Sequence, residues 1–185
     1  MTDTRPRGEA AVIVAAQAAL AGRPGVLPAA RALSHFGEHS IGWLAVASAG
    51  AVLSPASRRY PQPGRRREWL LAGAGTFAAH AAAVLVKRLV RRQRPHHPAV
   101  AVNVGTPSRL SFPSAHATST TAAAILLGRA GGLPPGLCPA VLVPPMALSR
   151  ILLGVHYPSD VVFGVALGAA VARLALWIDG GVPNE

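Results

Sequence analysis

The stretch that decides the fold runs from Leu137 to Ile178 and reads LCPAVLVPPMALSRILLGVHYPSDVVFGVALGAAVARLALWI. Two apolar runs, 137–153 and 160–178, flank a short turn carrying Gly154, His156 and Pro158. At 1.5 Å rise per residue an 18-residue helix covers roughly 27 Å, close to the ~30 Å hydrocarbon core of a bilayer, so the polar ends of such runs belong at the membrane interface. Three more runs of this kind lie upstream, at 36–55, 69–86 and 114–129. The pattern predicts an all-α integral membrane helical bundle of five or six spans.

Composition agrees. Charged residues make up 14% of the 185-residue chain and hydrophobic ones 51%, against roughly 25% charged in soluble domains; the mean hydropathy is +0.37. Ala, Val and Leu dominate and aromatics are only 5%, a mixture suited to helices packed closely in lipid. The length predicts one domain, with residues 1–35 as an N-terminal interfacial or first membrane helix region and 36–185 as the membrane core. A lone Cys138 in an apolar run forbids an internal disulfide and reads as a small buried hydrophobe.

The formal charge is +11, from 18 Lys and Arg against 7 Asp and Glu. The cations concentrate in Arg58–Arg67 and Lys87–Arg94, each abutting a long apolar run. That placement points to anionic lipid or a phosphate site and away from nucleic acid. Because Arg58, Arg59 and Arg65–Arg67 sit opposite Arg88, Arg91 and Arg92, the Lys/Arg count is nearly tied between the two faces. At the start of the chain, Arg5 and Arg7 followed by Ala10–Ala21 imitate a secretory signal, but Asp3 and Glu9 dilute the basic part and Gln17 interrupts the apolar one. The expectation is an interfacial helix, or a short first span, joined through Gly22–Gly25 to a second piece. Trp43, Trp69 and Trp177 lie near run ends, where an indole suits the interface as well as it suits ordinary packing.

Three clusters carry chemistry. The first is Lys87-Arg88-Leu89-Val90-Arg91-Arg92-Gln93-Arg94-Pro95, which read alone is a charged collar at a helix C-terminus. The second is Phe112-Pro113-Ser114-Ala115-His116, where Ser114 suits an N-cap and leaves first-turn N–H groups for an anion, with His116 in that same turn. The third is Ser149-Arg150, then His156 after a Gly turn, then Asp160 in the first turn of the last helix. A carboxylate four residues beyond an imidazole can accept its N–H, fix the tautomer and stabilise the cation formed when the other nitrogen attacks phosphorus. If the runs alternate in direction, all three clusters meet at one membrane face.

The spacing Lys87, six residues, Arg94-Pro95, then Pro113-Ser114-x-His116, then Ser149-Arg150, five residues, His156, three residues, Asp160 resembles the three-part signature of the type 2 phosphatidic acid phosphatases. One departure is Ala115, where that family usually has Gly; its N–H remains available, but the methyl narrows the space beside a phosphate. The resemblance implies that Lys87, Arg94 and Arg150 bind phosphoryl oxygens, helped by Ser114 and the N–H groups near Ala115 and His116. It implies that His156 is the nucleophile, oriented by Asp160, and that His116 protonates the leaving alcohol and then activates water. No metal and no cofactor is implied; His80, His96 and His97 lack a carboxylate or cysteine partner and read as interfacial or substrate-contact residues. Glu38 and His39 lie near a membrane face and read mainly as solvated polar groups.

The short chain, Ser111–His116 and Gly37-Glu38-His39 further resemble the actinobacterial branch that removes the 5-phosphate from a polyprenyl-phosphate-linked ribose on the route to cell-wall arabinan. That implies a multi-pass enzyme of the plasma membrane acting on a lipid phosphate. The motifs themselves specify phosphate chemistry and not ribose, so polyprenyl diphosphate or phosphatidylglycerophosphate is the competing substrate class. A vanadate haloperoxidase would use a similar pocket, but the short chain and multiple spans argue against it. A non-catalytic scaffold or transporter with charged helix ends is the reading from a different class.

Overall fold

The computed structural model describes residues 5–54 and 63–181. Its helices are α1 (Gly8–Leu20), α2 (Val26–Gly37), α3 (Ile41–Leu53), α4 (Pro63–Val90), α5 (Ala115–Ala130), α6 (Leu137–Leu152) and α7 (Pro158–Gly181), with a 3-10 turn (Glu38–Ser40) between α2 and α3. Among the described residues there is no strand, only an isolated antiparallel bridge from Gln93 to Leu110 within the long loop joining α4 to α5. The Arg- and Pro-rich segment 55–62, with Arg58 and Arg59, lies outside the described residues.

Helix α5 is the axis of the bundle. It packs on α4, α6 and α7, and all of Ala117–Ala124 is buried. A helix enclosed on every side must satisfy its own polar groups. Thr118 Oγ1 donates to the Ser114 carbonyl (2.9 Å), Thr121 Oγ1 to the Ala117 carbonyl (2.8 Å), and Thr120 Oγ1 accepts from Trp43 Nε1 (3.2 Å). Trp43 is therefore a buried core residue, edge-on to Phe36, and not an interfacial one, whereas Trp177 is 75% exposed.

Small residues bring α7 against α5. Gly164 and Gly168 form a G-x-x-x-G stripe, the pattern that lets membrane helices approach closely. A Cβ at Gly164 would lie 2.7 Å from the Ser114 carbonyl oxygen, and one at Gly168 would run into the Thr118 carbonyl. The outward faces of α4 and α7 are apolar, with Leu70, Phe77, Leu85, Val162 and Phe163 exposed. A helix apolar on its outer face asks for lipid there.

Among the described residues, only α4 (over 65–90) and α7 (over 158–180) are long and apolar enough to cross a bilayer by themselves. With 16 residues each, α5 and α6 cover about 24 Å. The expected run 36–55 divides at the 3-10 turn, so α3 begins only at Ile41. The expected run 69–86 grows in the opposite sense, because Arg66, Arg67, Lys87 and Arg88 continue α4 at both ends; long basic side chains favour helix and snorkel to the interface.

The N-terminal pieces join as two helices through a turn in which Gly25 takes φ +80°. Helix α1 packs on α6 and α7, and α2 on α6. Gln17, which interrupts the apolar run of α1, accepts from the Ala101 N–H (3.1 Å) and donates to the carbonyls of Ala101 (2.6 Å) and Leu152 (3.0 Å).

Because the obstacle at Gly168 is backbone and cannot move aside, Gly168→Val should destabilise the bundle by about 1–3 kcal/mol. The check is a thermal melt in detergent, and an unchanged midpoint would contradict the close α5–α7 approach.

Candidate active site

A cavity of about 460 Å³ opens where α4, α5 and α6 end or begin. Lys87, Arg94, Ala115, His116, Arg150 and His156 line it, with His35, Glu38, His39 and His80 on other parts of the wall. The three sequence clusters thus converge on one space. Ser114 and Asp160 do not line it; they stand behind the wall.

His156 is 2% exposed and follows Gly154, whose φ of +70° makes the turn that aims it. A Cβ at Gly154 would strike the Ala101 carbonyl, so the turn requires glycine. Arg94 Nη1 lies 3.3 Å from His156 Nε2. A guanidinium can only donate, so Nε2 carries the lone pair and Nδ1 the proton. Nδ1 has no acceptor at ordinary hydrogen-bond length; the nearest is Asp160 Oδ2 at 3.5 Å. Burial, reinforced by the charges of Arg94 and Lys87, pushes the imidazole down to about 3 against the pull of Asp160. The ring is neutral, with a free lone pair, at ordinary pH.

Each expected cation is anchored differently. Lys87 Nζ donates to the carbonyls of Leu110 (3.3 Å), Ser111 (2.9 Å) and Pro113 (2.7 Å). An ammonium has three donors, so Lys87 clamps the loop before α5 and offers the cavity its charge in place of a spare N–H. Arg94 donates through Nε to the Ser108 carbonyl (2.8 Å) and through Nη1 to the Val155 carbonyl (2.6 Å); burial lowers it to about 10, which leaves it protonated near neutrality. Arg150 is 2% exposed and donates to Ser149 Oγ (3.1 Å) and Ser34 Oγ (3.1 Å), while its Nη2 is buried without a partner. A buried guanidinium donor with nothing to bond is a costly feature that an anion in the cavity would relieve.

His116 Nε2 lies 3.0 Å from the Ser34 carbonyl. A carbonyl only accepts, so Nε2 is protonated and Nδ1 is left to exchange a proton. Ser114 caps α5, its Oγ accepting from the Ala117 N–H at 3.4 Å, and its own N–H donates to the Asp160 carbonyl (2.9 Å). Asp160 is fully buried; Oδ2 accepts from the Tyr157 N–H (2.8 Å) and Oδ1 from Arg92 Nη1 (2.8 Å).

Sequence reading passed over Ser34, Arg92 and Glu9. Ser34 bridges His116 and Arg150 from α2; the polar break Ser34–Ser40 after an apolar stretch was its only signal. Arg92 reads as part of a basic collar, yet it pairs with Asp160 and with Glu9 (2.6 Å). His96 and His97 interact with the backbone of their own loop. Among the described residues no group of three His, Cys, Asp or Glu side chains is arranged to hold a metal ion.

This convergence of basic groups and two histidines at the ends of membrane helices is accompanied by a family match over residues 68–181, and the chain belongs to the PAP2 superfamily. It is 67% identical over 181 residues to decaprenylphosphoryl-5-phosphoribose phosphatase of Mycobacterium tuberculosis, covering 98% of this chain and 96% of that one. It is 70% identical over 159 residues to the protein of the same name from Mycolicibacterium smegmatis, covering 86% and 82% respectively. The fold is similar to that in the crystal structure of the first transmembrane PAP2 type phosphatidylglycerolphosphate phosphatase from Bacillus subtilis, with a TM-score of 0.68 over 94% of this chain and 87% of that one, at 21% identity.

With the folded value far below the ~6.5 of a free histidine, protonation of His156 falls outside the physiological range. In 15N-histidine-labelled protein in detergent, His156 should remain neutral and Nδ1-protonated from about pH 8 to about pH 5. A titration midpoint near the free value would contradict the buried, cation-flanked geometry.

Proposed function

We propose that this chain is a multi-pass plasma-membrane phosphatase that removes the 5-phosphate of decaprenylphosphoryl-5-phosphoribose through a phosphohistidine, without a metal. The observation that carries phosphate chemistry is the unpartnered Arg150 Nη2 beside Lys87 and Arg94 in one cavity. Lys87 and Arg150 are buried, and the one buried carboxylate among the described residues is Asp160, itself bonded to Arg92. With Lys87, Arg94 and Arg150 set against the single carboxylate of Glu38 on its wall, the cavity carries an excess of positive charge, which favours a dianion. The substrate assignment rests on the high identity to relatives of that name over nearly the whole chain.

In the first step the Nε2 lone pair of His156 forms the N–P bond as the P–O bond to the sugar breaks. His116, protonated on both nitrogens when the substrate dianion is bound, gives its Nδ1 proton to the leaving oxygen, and the Ser34 carbonyl on Nε2 holds the ring for that transfer. Asp160 faces the Nδ1–H of His156 and stabilises the cation that forms. Arg94 and Arg150, with the charge of Lys87, stabilise the equatorial oxygens in flight. In the second step His116 takes a proton from water, the oxygen attacks phosphorus, and the N–P bond breaks to return Nε2 and release inorganic phosphate.

Purified protein should release phosphate fastest from prenyl-linked phosphoribose in a panel that includes phosphatidylglycerophosphate and a prenyl diphosphate; a clear preference for either of the latter overturns the substrate assignment. Chelator should leave the rate intact and vanadate, a five-coordinate mimic of the transition state, should inhibit. Loss with chelator and rescue by a divalent ion would exclude this mechanism.

The histidines should separate by chemistry. His156→Ala should abolish turnover and any acid-labile phosphoenzyme, whereas His116→Ala should lose far more activity on a sugar phosphate than on a nitrophenyl ester, whose phenolate leaves unaided. Equal losses on both substrates would remove His116 from the acid role.

A further inference from the structure

The site has a support that the family signature does not contain. Arg92 lies two residues before the motif arginine, and Glu9 lies in α1, outside residues 68–181 that match the family model. Arg92 Nη1 donates to Asp160 Oδ1 (2.8 Å) and Ser159 Oγ (2.6 Å), and Nη2 donates to Glu9 Oε2 (2.6 Å). The other Glu9 oxygen accepts the Ser159 N–H (2.7 Å), one of the first-turn donors of α7 that lack an intrahelical partner. The guanidinium stacks over the Tyr157 ring with Cζ 4.2 Å from its centroid.

We propose that Glu9 and Arg92 are positioning residues for the nucleophile, a charged relay from the first helix that decides which Asp160 oxygen faces His156.

The two oxygens of Asp160 transmit the effect. The residue is fully buried, so neither oxygen can turn to water. Arg92 occupies Oδ1, which leaves Oδ2 for the Tyr157 N–H and for His156 Nδ1. Without Arg92, Oδ1 would be buried and unsatisfied, and the carboxylate would rotate to share one donor between two oxygens. The His156 tautomer, set by that oxygen on one side and by Arg94 on the other, would lose one of its two determinants. Glu9 holds the far prong of the guanidinium, and a planar fork fixed at both ends keeps its orientation.

Simple docking of α1 does not account for Glu9. Gln17 already ties that helix to Ala101 and Leu152 through three hydrogen bonds. Glu9 instead spends both oxygens on the α7 start and on Arg92, the two groups in contact with Asp160 or its helix turn.

The inference rests on His156 being the nucleophile, and the test keeps the two apart. Full-length Glu9→Gln, Arg92→Lys, Asp160→Asn and His156→Ala, and Glu9→Gln combined with Asp160→Asn, are compared in detergent for phosphate release from prenyl-linked phosphoribose. The His156 ring state is read by 15N NMR in the substrate-free protein, a readout that does not depend on the lipid chosen. Glu9→Gln and Arg92→Lys should each lower kcat by about tenfold with KM within about twofold, and should turn the single His156 tautomer into a mixture. On the Asp160→Asn background Glu9→Gln should cost less than about twofold, since the group it acts through is gone.

An undiminished multiplicative loss on that background, or a single unchanged tautomer in both Glu9→Gln and Arg92→Lys, overturns the relay. If Glu9→Gln fails to fold, Arg92→Lys, which keeps the charge but cannot reach both carboxylates, carries the same two readouts. Full activity in His156→Ala would overturn the nucleophile reading and the relay with it. An inactive His156→Ala beside a wild-type Glu9→Gln would confine the failure to the relay.

Discussion

Two cations, Lys87 at 9% and Arg150 at 2% exposure, are held inside an apolar helix bundle, and the surrounding architecture follows from keeping them charged there. Moving such an ion out of water costs several kcal/mol unless fixed dipoles replace its hydration. Lys87 finds its dipoles in three carbonyls of the segment 110–113, so the ammonium shapes the loop that delivers Ser114 to its capping position and His116 to the cavity. Arg150 finds two hydroxyls and leaves one nitrogen bare. That nitrogen is not taken up by the protein's own groups, and an anion in the cavity would be bound by donors already held in place.

The close approach of α5 and α7 converts this into a site with fixed distances. Gly164 and Gly168 let α7 lie against the backbone of Ser114 and Thr118. At that separation the Ser114 N–H reaches the Asp160 carbonyl. The helix start that carries His116 and the helix start that carries Asp160 are therefore bonded to each other through backbone, and the side chains of His116 and His156 inherit their placement. A larger residue at either glycine acts on the cavity by moving one helix start against the other.

Much of this was legible in the sequence because the decisive groups recur at helix ends with fixed spacing. Lys87, Arg94, His116, Arg150 and His156 were all expected near one phosphate site, and the fold brings them to one cavity. The capping role of Ser114 was legible too, and its hydroxyl accepts from the Ala117 N–H at the start of α5. The three backbone carbonyls that accept from Lys87 Nζ were not legible, because carbonyls leave no mark on a sequence. For the same reason the Ser34 carbonyl that holds His116 could not be foreseen. The basic clusters misled at Arg92, because a collar of arginines at a membrane face looks alike whether its members are solvated or committed to buried carboxylates.

The N-terminal helix shows why polar residues in an apolar stretch deserve to be read for partners before they are read as flaws. With 13 residues, α1 covers about 20 Å and cannot span a bilayer core unaided. It is fixed by the residues that spoil its apolar pattern. Gln17 is 8% exposed, and a buried amide needs definite partners; it takes them from Ala101 in the α4–α5 loop and Leu152 at the end of α6. Glu9 takes its partners from Arg92 and the first turn of α7. These anchors fall on the two segments that bear Arg94 and His156, the pair whose 3.3 Å contact fixes the histidine tautomer. An element outside the matched family region is therefore bonded to both sides of His156, and its polar positions are constrained by the geometry of a ring that it never touches.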